Sequence, residues 1–224
     1  MIKIEQISKN FKDTKVLNNI SFDINKGDYV AIMGPSGSGK STLLYSISGM
    51  DRINEGRVMF EDVNITQLSE SELSKFRLTK MGFVFQNAQM LKNLSIYDNI
   101  ILPGLVAKKE PAEEIRKRAS KLMERMEITG IEHRDCKEVS GGQLQRASIC
   151  RAMINNPKIL FLDEPTGALN SEATDQVLGI LEELNRDGMT IIIVTHDQRV
   201  AAKAKKVLYI RDGEVDYAKT SREI

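Results

Sequence analysis

Two kinds of apolar pattern divide this chain. Near its start Ile2 and Ile4, and later Ile20, Phe22 and Ile24, alternate with polar residues, which predicts two half-buried strands with a turn-rich stretch between them that contains Phe11. Elsewhere the apolar residues run on without alternation. Tyr29-Val-Ala-Ile-Met33, Lys158-Ile-Leu-Phe-Leu162 and Met189-Thr-Ile-Ile-Ile-Val194 have strand length and read as strands covered on both faces, as parallel strands under helices are. Arg57-Val-Met-Phe60, Met81-Gly-Phe-Val-Phe85 and Val207-Leu-Tyr-Ile210 add shorter strands. The dipeptide Asp212-Gly213 signals a hairpin into Glu214-Val-Asp-Tyr217.

Helical periods fill the intervals. Residues 42–48 form a helix closed by Gly49, and a short helix is expected over 70–76. At 111–126 a proline and two glutamates sit in the first turn, and Ile115, Ala119, Leu122 and Met126 line one face. A helix over 144–155 is terminated by Pro157, and another from 171 to 187 stops at Gly188. Residues 87–106 are mixed in character. Strands alternating with helices predict an α/β fold with a largely parallel sheet.

Composition narrows the function class. The 224 residues suffice to bury a core as one domain with room for an inserted subdomain. A net charge of +1, from 32 basic and 31 acidic residues, gives no global field for nucleic acid, so no nucleic-acid partner is expected. Cys136 and Cys150 lack metal-ligand spacing, and the chain opens without a secretory signal, which makes the cytosol the expected compartment. The apolar runs are far shorter than the roughly twenty residues a membrane-spanning helix needs, so a membrane role would go through a partner.

The chemistry concentrates at strand ends. Gly34-Pro-Ser-Gly-Ser-Gly-Lys-Ser41 lies between a buried strand and a helix, the context a phosphate-binding loop requires. Its glycines let backbone N–H groups approach phosphate oxygens, the helix start adds a positive dipole end, Lys40 neutralises the outer phosphates and the Ser41 hydroxyl ligates Mg²⁺. In open α/β sheets ligands sit at the carboxyl ends of the strands, so Gln86, Asp163, Glu164 and His196 are expected to converge on the loop's edge. Asp163 is suited to hold Mg²⁺ through its water shell, Glu164 to polarise a water for in-line attack on phosphorus, and His196 to hydrogen-bond the outermost phosphate. Ser140-Gly-Gly-Gln143 reads two ways, as a serine helix cap with a glycine turn or as a second anion-facing helix start. Phe11 likewise is either core or a platform for a base.

Together these residues resemble the ATP-binding cassette family over nearly the whole chain. Gly34, Pro35, Ser36, Gly37, Ser38, Gly39, Lys40 and Ser41, with Thr42 behind them, match its Walker A loop; the strand ending at Asp163 matches Walker B. Glu164 matches the catalytic base, Gln86 the Q-loop, His196 the switch histidine, and Val139 to Gln143 the family signature. The resemblance implies a nucleotide-binding P-loop core (1–86 and 156–224) with an N-terminal antiparallel β subdomain, and a helical subdomain at 87–155 that carries the signature. It implies Phe11 stacking on adenine, Mg²⁺ held by Ser41, Gln86 and Asp163, and a head-to-tail homodimer sandwiching two ATP molecules. In that dimer Ser140, Gly141 and Gly142, with Gln143 behind them, face the γ-phosphate bound to the opposite copy.

The implied role is an ATP-hydrolysing subunit on the cytoplasmic face of the membrane, driving a separate integral membrane permease. The stretch Glu164-Pro-Thr-Gly-Ala-Leu-Asn170 resembles the group of macrolide and lipoprotein exporters, the cell-division ATPase and, most, the antimicrobial-peptide resistance transporters, which implies a peptide or lipid-linked substrate. A mechanical ATPase acting on a membrane partner without solute transport stays open as the alternative. Two positions depart from the family pattern. Val139 replaces the usual leucine, and Asn170 stands where most relatives carry an aspartate, so a contact across the dimer would be made by a neutral amide.

Overall fold

A computed structural model describes residues 1–221. In chain order its elements are β1 (Ile2–Phe11), β2 (Thr14–Ile24), β3 (Tyr29–Met33), α1 (Lys40–Ile47), β4 (Glu55–Phe60), β5 (Val63–Asn64), α2 (Glu70–Lys80), β6 (Met81–Phe85), α3 (Ile96–Ala107), α4 (Ala112–Arg125), α5 (Gly141–Met153), β7 (Ile159–Asp163), α6 (Ser171–Arg186), β8 (Thr190–Val194), α7 (Gln198–Ala201), β9 (Lys206–Arg211) and β10 (Glu214–Val215). The chain divides into two compact units, one formed by Met1–Arg77 with the chain from Leu184 on, the other by Leu78–Glu183.

The first unit holds an antiparallel sheet in the order β2-β1-β4-β5 and a second set in the order β10-β9-β3-β8. β3 lies parallel to β8, from Tyr29 opposite Ile191 to Ile32 opposite Val194, and parallel to β9 on its other side. Both continuous apolar runs are buried as expected, with Leu43, Leu44 and Ile47 of α1 also in the core. The first two strands differ from their prediction: Phe11 ends β1, and the turn between β1 and β2 is only Lys12 and Asp13. Bulges hide the strands' length from the alternation, with register shifts between Ile4 and Ile7, Ile7 and Lys9, and Lys9 and Asn10.

In the second unit β6 and β7 run parallel, with Met81 opposite Ile159 and Phe85 opposite Asp163. Phe83 stacks on Phe161 with ring centroids 5.4 Å apart. The stretch read as mixed contains α3, a helix with Pro103 inside it. Asn99, buried in that helix, fixes the loop before it by accepting from the Leu91 amide at 2.7 Å and donating to the carbonyls of Leu91, Leu94 and Ser95. On α4 the buried face is Ile115, Ala119 and Met123, followed by Met126 at its end; Leu122, assigned to that face from its spacing, is half-buried. α5 starts at Gly141 rather than at 144, because Ser140 caps it.

Cys150 is fully buried on α5, and burial pushes its thiol well above the ordinary range; Cys136 is half-buried and shifted the same way, also by burial. A thiol-reactive chromophore at neutral pH is therefore expected to titrate Cys136 slowly in the folded protein. Cys150 should react only after denaturation, and its prompt labelling without denaturant would mean that α5 is not packed as described.

Candidate functional site

β3 delivers the chain at Met33 into the glycine loop, and α1 begins at Lys40. Gly39 caps α1 in the left-handed region (φ 98°) and supplies no side-chain cap. The helix's own ladder opens with the Leu43 amide on the Gly39 carbonyl, at 2.8 Å. The first N–H groups of a helix have no intrahelical acceptor, and with no capping side chain they present a concentration of positive partial charge. Pro35, Ser36 and Gly37 are exposed, while Ser38 is buried. The Ser38 Oγ has no hydrogen-bond partner among the described residues, so it is a donor aimed into a loop already rich in donors. Lys40 folds its ammonium onto the Pro35 carbonyl at 2.6 Å, within the loop it would leave to meet an anion. A lysine and the N–H groups of a helix start within one glycine loop are donors of the kind that fit phosphate.

His196 follows β8, the strand beside β3, so loop and histidine leave the same carboxyl edge of adjacent parallel strands. The Thr195 amide donates to the Ile32 carbonyl at 3.2 Å, and the Thr195 hydroxyl accepts from the Asp197 amide at 3.0 Å. These bonds hold the backbone on both sides of His196, whose side chain is exposed. The Arg199 guanidinium, bonded to Asp197, holds that carboxyl below the usual carboxylate range. Phe11 is 49% exposed at the end of β1, with the Lys9 ammonium 4.8 Å from its ring centre. Its accessible ring corrects the core alternative.

In the second unit, the pairing of Phe85 with Asp163 brings Gln86 and Glu164 out of neighbouring strand ends. Glu164 has φ 47°, in the left-handed region that non-glycine residues adopt at a cost of about 1–2 kcal/mol. The Gly167 amide donates to the Glu164 carbonyl at 3.1 Å and closes the turn by which the chain leaves β7. Asn170 caps α6, its Oδ1 accepting from the Ala173 amide at 2.9 Å. Ala173 in turn abuts the signature: a Cβ on Gly142 would come within 2.9 Å of the Ala173 Cβ. Ser140 forms a full capping box with Gln143, the Gln143 amide donating to Ser140 Oγ at 3.2 Å and the Gln143 side chain accepting from the Ser140 amide at 3.0 Å.

Two residues that the sequence reading did not single out hold the glutamine loop. Gln145 is buried on α5 and donates its Nε2 to the Phe85 carbonyl at 3.0 Å, immediately before Gln86. Arg151, two turns along, donates to the carbonyls of Ala88 at 2.6 Å and Gln89 at 2.8 Å. The helix that starts at the signature therefore holds the main chain on both sides of Gln86. The only signal in the sequence was polar residues among the apolar positions of a helix.

Comparison with known proteins agrees with this arrangement. The family model described as ABC transporter matches residues 17–167. The macrolide export ATP-binding/permease protein MacB of Campylobacter jejuni is 42% identical over 215 residues, covering 96% of this chain and 33% of MacB. The chain thus spans about a third of the length of the MacB relatives it matches. MJ0796, an uncharacterized ABC transporter ATP-binding protein of Methanocaldococcus jannaschii, is 39% identical over 225 residues, 96% of this chain and 95% of its own. The dimeric post-hydrolysis state of that cassette bound to ADP and Pi aligns with a TM-score of 0.91 at 36% identity, over 100% of this chain and 99% of that one.

The capping box separates what Ser140 does for the helix from what it would do for an anion. Ser140→Ala should lower stability by about 1 kcal/mol in urea denaturation, whereas Ser140→Asp, which keeps a capping oxygen, should stay near the parent. Equal loss in both variants would count against the cap.

Proposed function

This chain belongs to the ABC transporter family, and from that premise we propose that it is the ATP-binding, ATP-hydrolysing cassette of a transporter, working as a homodimer on a separate membrane permease. The observation that carries the reading is the loop at 34–41, where an unpartnered buried hydroxyl, Lys40 and a helix start with no side-chain cap occur within a few residues of one another. The loop's N–H groups bind the phosphates, and Lys40 exchanges the Pro35 carbonyl for phosphate oxygens. Phe11 offers its exposed ring to the adenine.

Ser41, Gln86 and Asp163 are assigned to Mg²⁺. Their hydroxyl, amide and carboxylate oxygens are the hard donors this ion takes, and few are needed because it keeps waters and binds substrate phosphates. When bound, Mg²⁺ neutralises charge developing on the phosphate oxygens. Glu164, turned off its strand, accepts the proton of the attacking water, and His196 donates to the outer phosphate. Ser140, Gly141, Gly142 and Gln143 complete the opposite copy's site, the helix start at Ser140 facing the anion as the loop's does, and Asn170 meets that copy next to it. On this reading a closed dimer requires ATP, since neither copy holds all the ligands.

Among the described residues no helix is long and apolar enough to cross a membrane. On this reading the chain meets the permease through its surface at the cytoplasmic face. The helical subdomain at 87–155 suits it: Leu91, Leu105 and Val106 are exposed there. The resemblance of Gly167-Ala-Leu-Asn170 to the peptide-resistance branch supports a peptide or lipid-linked substrate.

Lys40→Ala should weaken nucleotide binding about 10- to 100-fold, the value of a lost charge-assisted hydrogen bond, measured by titration with a fluorescent ATP analogue. Glu164→Gln should bind ATP as tightly as the parent, lose at least about 100-fold in kcat and accumulate as an ATP-dependent dimer on size exclusion. Normal turnover in Glu164→Gln would remove that residue from its role.

A further inference from the structure

We propose that the hairpin joining β9 and β10, through Gly213, is a positioning element for the phosphate loop, setting the loop's shape without touching nucleotide. The inference rests on the nucleotide reading of residues 34–41 and adds a residue far from them in sequence. The Gly213 amide donates to the Ser38 carbonyl at 3.2 Å, and its own carbonyl accepts from the Asn18 amide of β2 at 2.8 Å. Gly213 thus bridges the loop to a strand of the antiparallel sheet.

The fit leaves no room for a side chain. Gly213 has φ 78°, and a Cβ there would lie 2.4 Å from the Val16 carbonyl oxygen and 3.0 Å from its carbon, both backbone atoms of β2. The same hairpin meets the loop's other end, where a Cβ on Gly34 would fall 2.0 Å from the Ile210 carbonyl oxygen. One hairpin therefore braces both flanks of a loop whose tip is exposed. It is itself anchored: the Asn18 side chain donates to the Glu214 carboxylate, the Asp216 amide bonds the Tyr209 carbonyl at 2.8 Å, and the Tyr209 amide bonds the Thr220 hydroxyl at 3.0 Å.

The physical consequence concerns preorganisation. A phosphate loop binds because several N–H groups already point at one spot, and moving the Ser38 peptide disperses them. A residue that fixes that peptide controls affinity although it is no ligand.

The test compares Gly213→Ala with Gly188→Ala in the full chain. Gly188 is also left-handed (φ 94°), but a Cβ there meets nothing within 4 Å, so it carries the backbone strain without the collision. Fluorescent-ATP affinity is read with thermal stability, well below both melting transitions. Gly213→Ala is expected to lose at least about 10-fold in affinity relative to Gly188→Ala and to raise KM for ATP, with kcat at saturation within about twofold of the parent. Asn18→Ala, which loosens the hairpin without inserting an atom, should lose about two- to fivefold and covers the case where Gly213→Ala does not fold. Parent-like affinity in Asn18→Ala with Gly213→Ala unfolded, or equal affinities in the two glycine variants, overturns the proposal. Lys40→Ala separates the two readings: if it does not weaken binding, the nucleotide assignment fails; if it does and the hairpin variants do not, the positioning role alone fails.

Discussion

A buried strand that passes through a short glycine loop into a helix leaves the helix's first amides with no acceptor inside the helix, and much of this protein's arrangement follows from that. At the end of β3 the chain supplies no capping side chain, only Gly39 in a left-handed conformation. Those amides concentrate positive partial charge at the helix start, and the surrounding backbone packs closely against the loop. The Ile210 carbonyl crowds Gly34, the Gly213 amide takes the Ser38 carbonyl, and the Val16 carbonyl stands 3.0 Å from where a Cβ on Gly39 would be. At Gly34 and Gly39 neighbouring backbone leaves no space for a side chain, whereas at Gly37 a Cβ would meet nothing within 4 Å and the left-handed turn alone favours glycine.

The second unit solves a related problem with the opposite device. α5 does have a cap, the reciprocal box between Ser140 and Gln143, which satisfies amides at its own start. Further along, the same helix carries polar side chains inward at Gln145 and Arg151, each satisfied by main-chain carbonyls. Burial lowers the pKa of the Arg151 guanidinium, and the carbonyls of Ala88 and Gln89 offset the cost of enclosing it. These side-chain bonds to main-chain carbonyls tie α5 to the residues flanking Gln86.

Asn170 illustrates how a substitution changes meaning in its setting. As a departure from the family pattern it implied a contact across the dimer made by a neutral amide. In the folded chain its Oδ1 caps α6 and sets Ala173 against Gly142, which an aspartate oxygen would do as well. The neutral amide keeps the cap while adding no negative charge next to the proposed phosphate-facing signature.

The sequence by itself determined the parallel strands, the glycine loop, the order of elements and the identity of the residues at the strand ends. Such features are local: continuous apolar runs, glycine spacing and helix punctuation leave marks within a few residues of one another. Its failures were also local in origin. Bulges erased the alternation of β1, the apolar run around Pro103 showed no helical period, and a one-residue ambiguity on α4 put Leu122 where Met123 is buried. Only the tertiary structure decided that Phe11 is exposed, that Glu164 leaves its strand through a left-handed turn, that Gln145 and Arg151 grip the glutamine loop and that Gly213 braces the phosphate loop. Each of these depends on which backbone groups, distant along the chain, are brought within hydrogen-bonding or van der Waals distance, and no pattern in neighbouring residues encodes that.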